Sequence, residues 1–181
     1  MSRTIHLFDP VERFVSGTVG QPGERTFFIQ ARTGLRLVSV SLEKSQLEAL
    51  SDRITEIIKE VRQSYPMTLI QRPSRDDAPL ESPIEEEFRV GMIAIAFVPD
   101  RSMIEIDLQA IFEGQNSEDL LDIDQQSDVD VLRAFLPLGY AESFAKRSFA
   151  VIGAGRKPCP FCGGPLDPRG HLCPRANGYR R

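Results

Sequence analysis

Thr26-Phe27-Phe28-Ile29-Gln30-Ala31 and Leu35-Arg36-Leu37-Val38-Ser39-Val40-Ser41-Leu42, separated by Arg32-Thr33-Gly34, decide the fold class, because the pattern after them changes period. Both runs are rich in β-branched and aromatic residues. With a glycine between them they predict an antiparallel hairpin. Directly afterwards Leu47, Leu50, Ile54, Ile57, Ile58 and Val61 recur at three- and four-residue steps. That spacing predicts an amphipathic helix from Glu43 to Ser64, with Ser41 as candidate N-cap and Pro66 just past the end.

Working outward, two short runs precede the hairpin. Thr4-Ile5-His6-Leu7-Phe8 stops at Asp9-Pro10, and Arg13 to Val19 stops at Gly20-Gln21-Pro22-Gly23. Both read as strands ended by turn signals. Beyond the helix, Ile70 to Glu87 places Pro73, Pro79 and Pro83 among charges, the composition of a surface loop.

The second half then follows a similar plan. Phe88 to Val98 and Met103 to Phe112 read as strands joined by the turn Pro99-Asp100-Arg101-Ser102, and Val131 to Leu136 as a third. Tyr140 to Val151 reads as a helix, with Phe144, Ala145, Ser148 and Phe149 as its expected buried face. Phe14-Val15-Ser16-Gly17 echoes Phe88-Arg89-Val90-Gly91. Three strands and then a helix, twice over, raise the expectation of an internal βββα duplication. The fold class expected is α+β: a mainly antiparallel sheet with two helices over 1–155, followed by a zinc-knuckle tail over 156–181.

The chemistry concentrates in that tail. Cys159-Pro160-Phe161-Cys162 precedes Gly163-Gly164, and His171-Leu172-Cys173 follows; these are all three cysteines and one of the two histidines. Three thiolates and one imidazole make a complete tetrahedral set for Zn²⁺. A Cys-x-x-Cys step can present two thiolates to one ion, and Gly163 suits a turn that needs positive φ. His171 and Cys173 are two apart, so in an extended segment they point to one side. Four protein ligands leave no position for water, which predicts a structural ion. So short a tail has little apolar surface of its own, and metal binding of roughly 10–16 kcal/mol is the natural source of its order. Arg169 and Arg175 flank the second pair and could compensate a site of formal charge −1.

Competing explanations are weaker. Cys-Pro-Phe-Cys also matches a dithiol redox motif, but that motif follows a strand and opens a helix, and Gly163-Gly164-Pro165 blocks one. Incidental cysteines are the other alternative. Val151-Ile152-Gly153-Ala154-Gly155 resembles the start of a dinucleotide fingerprint but lies after a helix, so it reads as a helix stop and linker. His6 on an alternating strand reads as structural. The acids of Glu85-Glu86-Glu87 and of 118–130 lack any calcium-loop spacing and read as solvated. No nucleophile-elbow, zinc-protease or phosphate-loop motif is present.

Charge is uneven. The chain carries a formal net charge of −4. From Arg156 onward six basic residues face only Asp167, a net of +5, so the remainder sums to −9. Between Glu113 and Asp130 there are seven acids and no base. The basic tail could fold back on the body or meet an anionic partner. The longest apolar run, Gly91 to Val98, is too short to cross a bilayer, and the first residues lack a signal-peptide pattern. With three clustered cysteines, this implies a cytoplasmic protein in a reducing compartment and no membrane association.

Three stretches occur in order: Arg13-Phe14-Val15-Ser16-Gly17-Thr18-Val19-Gly20, Glu85-Glu86-Glu87-Phe88-Arg89-Val90-Gly91, and Cys159-Pro160-x-Cys162-Gly163-x-Pro165-Leu166-Asp167-Pro168-x-Gly170-His171-x-Cys173-Pro174-Arg175. With them the chain resembles the DUF3090 family of uncharacterised proteins, found mainly in actinobacteria. The resemblance implies a bacterial cytosolic protein in which body and tail form one unit. It brings no catalytic residues.

The function expected is a non-enzymatic interaction or regulatory protein. Its structural Zn²⁺ site, Cys159, Cys162, His171 and Cys173, would fix the tail as a docking surface for a protein partner. One alternative is an enzyme working on a small molecule in a cleft between the half-repeats, near Arg89, Arg133 or Glu87. Another is a nucleic-acid binder using the basic tail. An exposed edge strand would allow a homodimer.

Overall fold

The computed structural model describes residues 3–66, 68, 70–71, 73, 76–111, 129–155, 159–163, 173 and 175. Among these, seven strands and two helices follow one another as β1 (Ile5–Phe8), β2 (Arg13–Val19), β3 (Thr26–Thr33), β4 (Arg36–Leu42), α1 (Lys44–Ser64), β5 (Glu86–Val98), β6 (Met103–Ala110), β7 (Val131–Pro137) and α2 (Leu138–Gly153). The strands form one sheet in the order β1-β7-β6-β5-β4-β3-β2. The class is α+β, with a mostly antiparallel sheet. Two antiparallel sets, β2-β3-β4 and β5-β6-β7, meet where β4 runs parallel to β5, and α1 makes the crossover that a parallel pair requires.

The predicted hairpin is β3-β4. Thr33 pairs with Arg36, and Gly34, at φ 59°, takes the loop position where a two-residue turn of the II′ kind needs a positive φ. The α1 cap differs from expectation. Ser41 is buried within β4, and Glu43 is the cap residue: its N–H donates to the Gln46 side chain at 2.8 Å. Gln46 also donates to the carbonyls of Val90 and Gly91 at 3.1 Å, which ties the first turn of α1 to β5. A reciprocal Glu/Gln cap thus replaces the hydroxyl cap.

Four strands precede α1 and three precede α2, so the halves match as three strands and a helix only when β1 is set aside. A duplication is not established by that order, and β5 has 13 residues against 7 in β2.

The sheet cannot be flat. Its edge strands β1 and β2 are joined by residues 9–12 alone. Seven flat strands would set those edges roughly 29 Å apart at the usual strand spacing, whereas so short a link spans at most about 18 Å. The link also bonds to both sides: Val11 N–H reaches the Phe135 carbonyl of β7 at 3.2 Å, and Glu12 N–H the Arg32 carbonyl of β3 at 3.1 Å. The sheet therefore curls until its edges meet at this corner.

One continuous core lies inside the curl. Phe14, Ile29, Val40, Ile104, Ile106, Leu108, Leu132 and Leu136 face Leu47, Leu50, Ile54 and Ile58 of α1 and Ala141, Phe144 and Ala145 of α2. Phe149 is not part of it. It stands 39% exposed. Ser148, also expected on that face, is fully buried, and its hydroxyl and that of Ser16 share a hydrogen bond of 2.9 Å.

The segment after α1 is a surface loop, as its composition suggests, and it is anchored to the sheet. Residues 76–81 form a strap over the face of β2-β3-β4 opposite α2. Gln30 brackets Glu81 there, accepting its N–H at 2.8 Å and donating to its carbonyl at 2.9 Å. Leu80 lies against Gly17 so closely that a Cβ there would come within 2.6 Å of it. Arg13 and Arg147 hold the strap from the sheet edge. The segment ends at Glu86, where β5 begins. The expected acidic loop lies almost wholly outside the described residues, as does Phe112.

Candidate metal centre

Beyond α2, Cys159 to Gly163 form a tight turn in which the Gly163 N–H donates to the Cys159 carbonyl at 2.8 Å. Gly163 has φ +74° with nothing near the place of a Cβ, so backbone conformation rather than space selects glycine. The turn directs two thiols the same way, and Cys173 brings the third. All three Sγ atoms lie within 4.8 Å of one another, and those of Cys159 and Cys173 are 3.7 Å apart.

That separation excludes a disulfide and is compatible with a shared ion. A disulfide holds its sulfurs at about 2.05 Å. Thiolates at about 2.3 Å from a tetrahedral ion stand about 3.8 Å from each other. The cysteines are therefore not bridged, and they stand close enough together that they could hold one ion. Cys159 and Cys173 are buried at 5% exposure each, and Cys162 is half-buried, so a bound ion would be largely shielded from water.

The electrostatics suit the same role. Backbone N–H groups of Cys162 and Phe161 point at the Cys159 sulfur and lower its pKa from 9.0 to about 6, against the opposing effect of burial and with help from the neighbouring thiols. The ligand form of cysteine is the thiolate, and here it is available at neutral pH. Arg175 caps the turn, donating to the Phe161 carbonyl at 3.2 Å. His171, the fourth expected ligand, lies outside the described residues. Residues 160–162 form a turn and not the start of a helix, whereas in a dithiol redox motif the segment between the cysteines begins one.

The residues considered for an enzyme cleft are not brought together. Arg133 is paired with Asp107 and with Glu105 at 3.1 Å, and Arg89 with Glu43. His6 is 9% exposed, and its Nε2 lies 3.6 Å from Glu87. A groove of about 490 Å³ does run between α1 and α2, lined by Ile58, Lys59, Arg62, Glu142, Lys146 and Phe149 among others. None of those candidates lines it. Helix α2 runs through Gly153, so no strand precedes the glycines that resemble a nucleotide fingerprint.

Sequence reasoning missed the arginine-held strap. Arg13 sits on a strand and Arg147 on a helix, and only the fold aims both at Asp76.

Among the described residues no helix is long and apolar enough to cross a membrane. A family model, DUF3090, described as a protein of unknown function, matches residues 6–173. No curated protein and no solved structure matches.

Proposed function

The chain belongs to the DUF3090 family, and from that premise and the converging thiols we propose a non-enzymatic interaction protein of the cytosol whose C-terminal segment is ordered by a structural zinc ion. Cys159, Cys162 and Cys173 would supply three thiolates, and His171, two residues before Cys173, the imidazole. The observation that carries this is the sulfur triad: three Sγ atoms within 4.8 Å, one pair at 3.7 Å. Zinc fits this donor set better than a harder cation does, because thiolates select it while magnesium and calcium take oxygen ligands. A saturated coordination shell leaves no site for a reacting water, so the ion's role is to hold the segment in shape. The body, 1–155, would then be a separate core that carries the metal segment, 156–181, as a docking element. Free thiols at this spacing accord with a reducing compartment.

The test is metal content by mass spectrometry on protein purified without a metal-affinity tag. One zinc per chain is expected, falling to a small fraction in Cys162→Ser. A chain free of metal whose thiols form a disulfide would overturn the reading in favour of redox chemistry.

A further inference from the structure

A groove of about 490 Å³ lies where α1 packs beside α2. Its α1 wall follows one stripe of the helix from Thr55 to Gln63, and its α2 wall runs from Glu142 to Phe149. The eight steps from Thr55 to Gln63 rise about 12 Å, so the mean cross-section is about 40 Å². An α-helix with its side chains is about 10–12 Å across and covers roughly 80–110 Å². The slot is too narrow for a partner helix and has the proportions of one extended chain. Ile58, 3% exposed, and the ring of Phe149, 39% exposed, give it an apolar surface. Cavities of about 300–1,000 Å³ with apolar walls and a few placed polar groups are the usual form of a small-molecule site.

The polar groups of the groove are chiefly cations. Lys59, Arg62 and Lys146 line it against one carboxylate, Glu142. That carboxylate is already engaged. Its side chain is 13% exposed, and it accepts from Arg62 Nη2 at 3.2 Å and pairs with Lys146 Nζ at 3.1 Å. The neighbouring acids of α1, Glu56 and Glu60, turn to Arg53 at 3.1 and 3.3 Å and do not line the groove. Lys59 has no carboxylate partner among the described residues. Two positive charges are thus left over on an apolar slot, in a chain whose net charge is −4. We propose that the groove binds a medium-chain alkyl carboxylate, with its chain along Ile58 and Phe149 and its head group on Lys59. A free phosphate would make no use of the apolar wall, and a neutral hydrocarbon would leave the cations unanswered. A hydrocarbon chain with an anionic end uses both. The proposal goes beyond the zinc reading and does not depend on it, since Cys159, Cys162 and Cys173 do not line the groove.

The probes are sodium octanoate and sodium decanoate, kept monomeric and titrated calorimetrically at neutral pH into the full-length chain. One decanoate per chain is expected, with a Kd of about 2 mM or tighter, the affinity that ordinary ligand efficiency gives a molecule of this size. Decanoate should bind roughly 4- to 15-fold tighter than octanoate, as its two further methylenes are half or fully buried. Lys59→Gln should weaken decanoate roughly 2- to 5-fold, the range of a partly exposed ion pair, and leave 1-octanol, which carries no charge, unaffected. Phe149→Glu sets a carboxylate against the chain and should weaken decanoate about 10-fold or more. Leu35→Glu is the control, at an exposed apolar residue that does not line the groove, and should change nothing. Absence of saturable binding overturns the proposal. So does an equal loss in Leu35→Glu and Phe149→Glu, which is adsorption to the surface at large. Equal affinity for octanoate and decanoate overturns it too, because no chain is then seated. Phosphatidylglycerol vesicles that bind the protein while monomeric decanoate does not would assign the cations to a membrane surface instead.

Discussion

Arg13 on β2 grips Asp76 with two parallel hydrogen bonds, Nε to Oδ2 at 2.6 Å and Nη2 to Oδ1 at 3.1 Å, across 63 residues of sequence. The same guanidinium reaches Glu81 at 3.2 Å, and Arg147 donates to the Asp76 carbonyl at 2.6 Å and to Ala78 at 2.8 Å. The strap is therefore held chiefly by cations from the sheet edge. Its stability should depend on pH in one direction. Arg13 holds the Asp76 carboxylate below its ordinary pKa of 3.8, so in acid the unfolded chain takes up the proton first. The stabilisation is fully present above about pH 4 and is lost as pH falls through the folded-state value. Asp76 is partly exposed, so the contribution is about 1 kcal/mol rather than the larger figure of a buried pair. Thermal melts of the parent and Asp76→Asn should differ by that amount at pH 7 and converge near pH 2. A constant gap across the range would rule the ion pair out as the cause.

Ser16 and Ser148 form the one hydroxyl pair seen inside the core among the described residues, linking β2 to α2. Ser148→Ala should cost about 1–3 kcal/mol, because it leaves the Ser16 hydroxyl buried with its partner removed. The double replacement, Ser16→Ala with Ser148→Ala, should recover most of that loss. Urea denaturation of the two singles and the double measures this as a cycle. Additive losses would show that the two hydroxyls act independently.

The elements were legible wherever the pattern is local. Alternation gave β2 to β4, and the three- and four-residue spacing of Leu47 to Val61 gave α1, because periodicity records which face is buried. The curl was not legible. It depends on Ile5 pairing with Val131 and on a corner bonded to two distant strands, and no short-range pattern records either. The sulfur triad was legible because chelation imposes close spacing on the sequence itself. The segment at 76–81 is the surface loop its composition suggests, but its anchoring was not legible: Pro-rich charged segments look alike in sequence, and only the positions of Arg13 and Arg147 show that this one is held. Phe149 was misplaced because its side chain falls at the margin of the apolar stripe, beside the groove between the helices.

The thiols carry a second pH effect. With Cys159 lowered to about 6, metal-free protein should react with iodoacetamide at a rate that rises through pH 6, well below the range of an ordinary cysteine. Protons compete with metal for the same sulfur, so affinity for zinc should hold above that pH and fall on acidification below it. Zinc release followed with a chromogenic chelator from pH 8 to pH 4 gives the second readout. Alkylation with a midpoint near pH 9 would contradict the hydrogen bonds assigned to the Cys159 sulfur.

Deleting residues 156–181 tests whether the body stands alone. Among the described residues, all of the aliphatic and aromatic core, from Phe8 to Ala145, lies on the body side of that cut. So do the strap, the corner at residues 9–12 and the bond from Arg25 to the Val151 carbonyl near the end of α2, 3.3 Å long. The truncated chain should therefore keep a single cooperative melt with its midpoint shifted by only a few degrees, since about 1 kcal/mol moves a domain of this size by roughly 2–4 °C. Core substitution gives the scale for comparison: Ile54→Ala, at a fully buried position, should cost about 2–5 kcal/mol. Removing zinc from the full chain with a chelator should leave the same melt in place while opening the segment after Gly155 to protease. Loss of cooperativity on deletion, or a loss of stability as large as that of Ile54→Ala, would mean that the metal segment packs into the body and that the two fold as one.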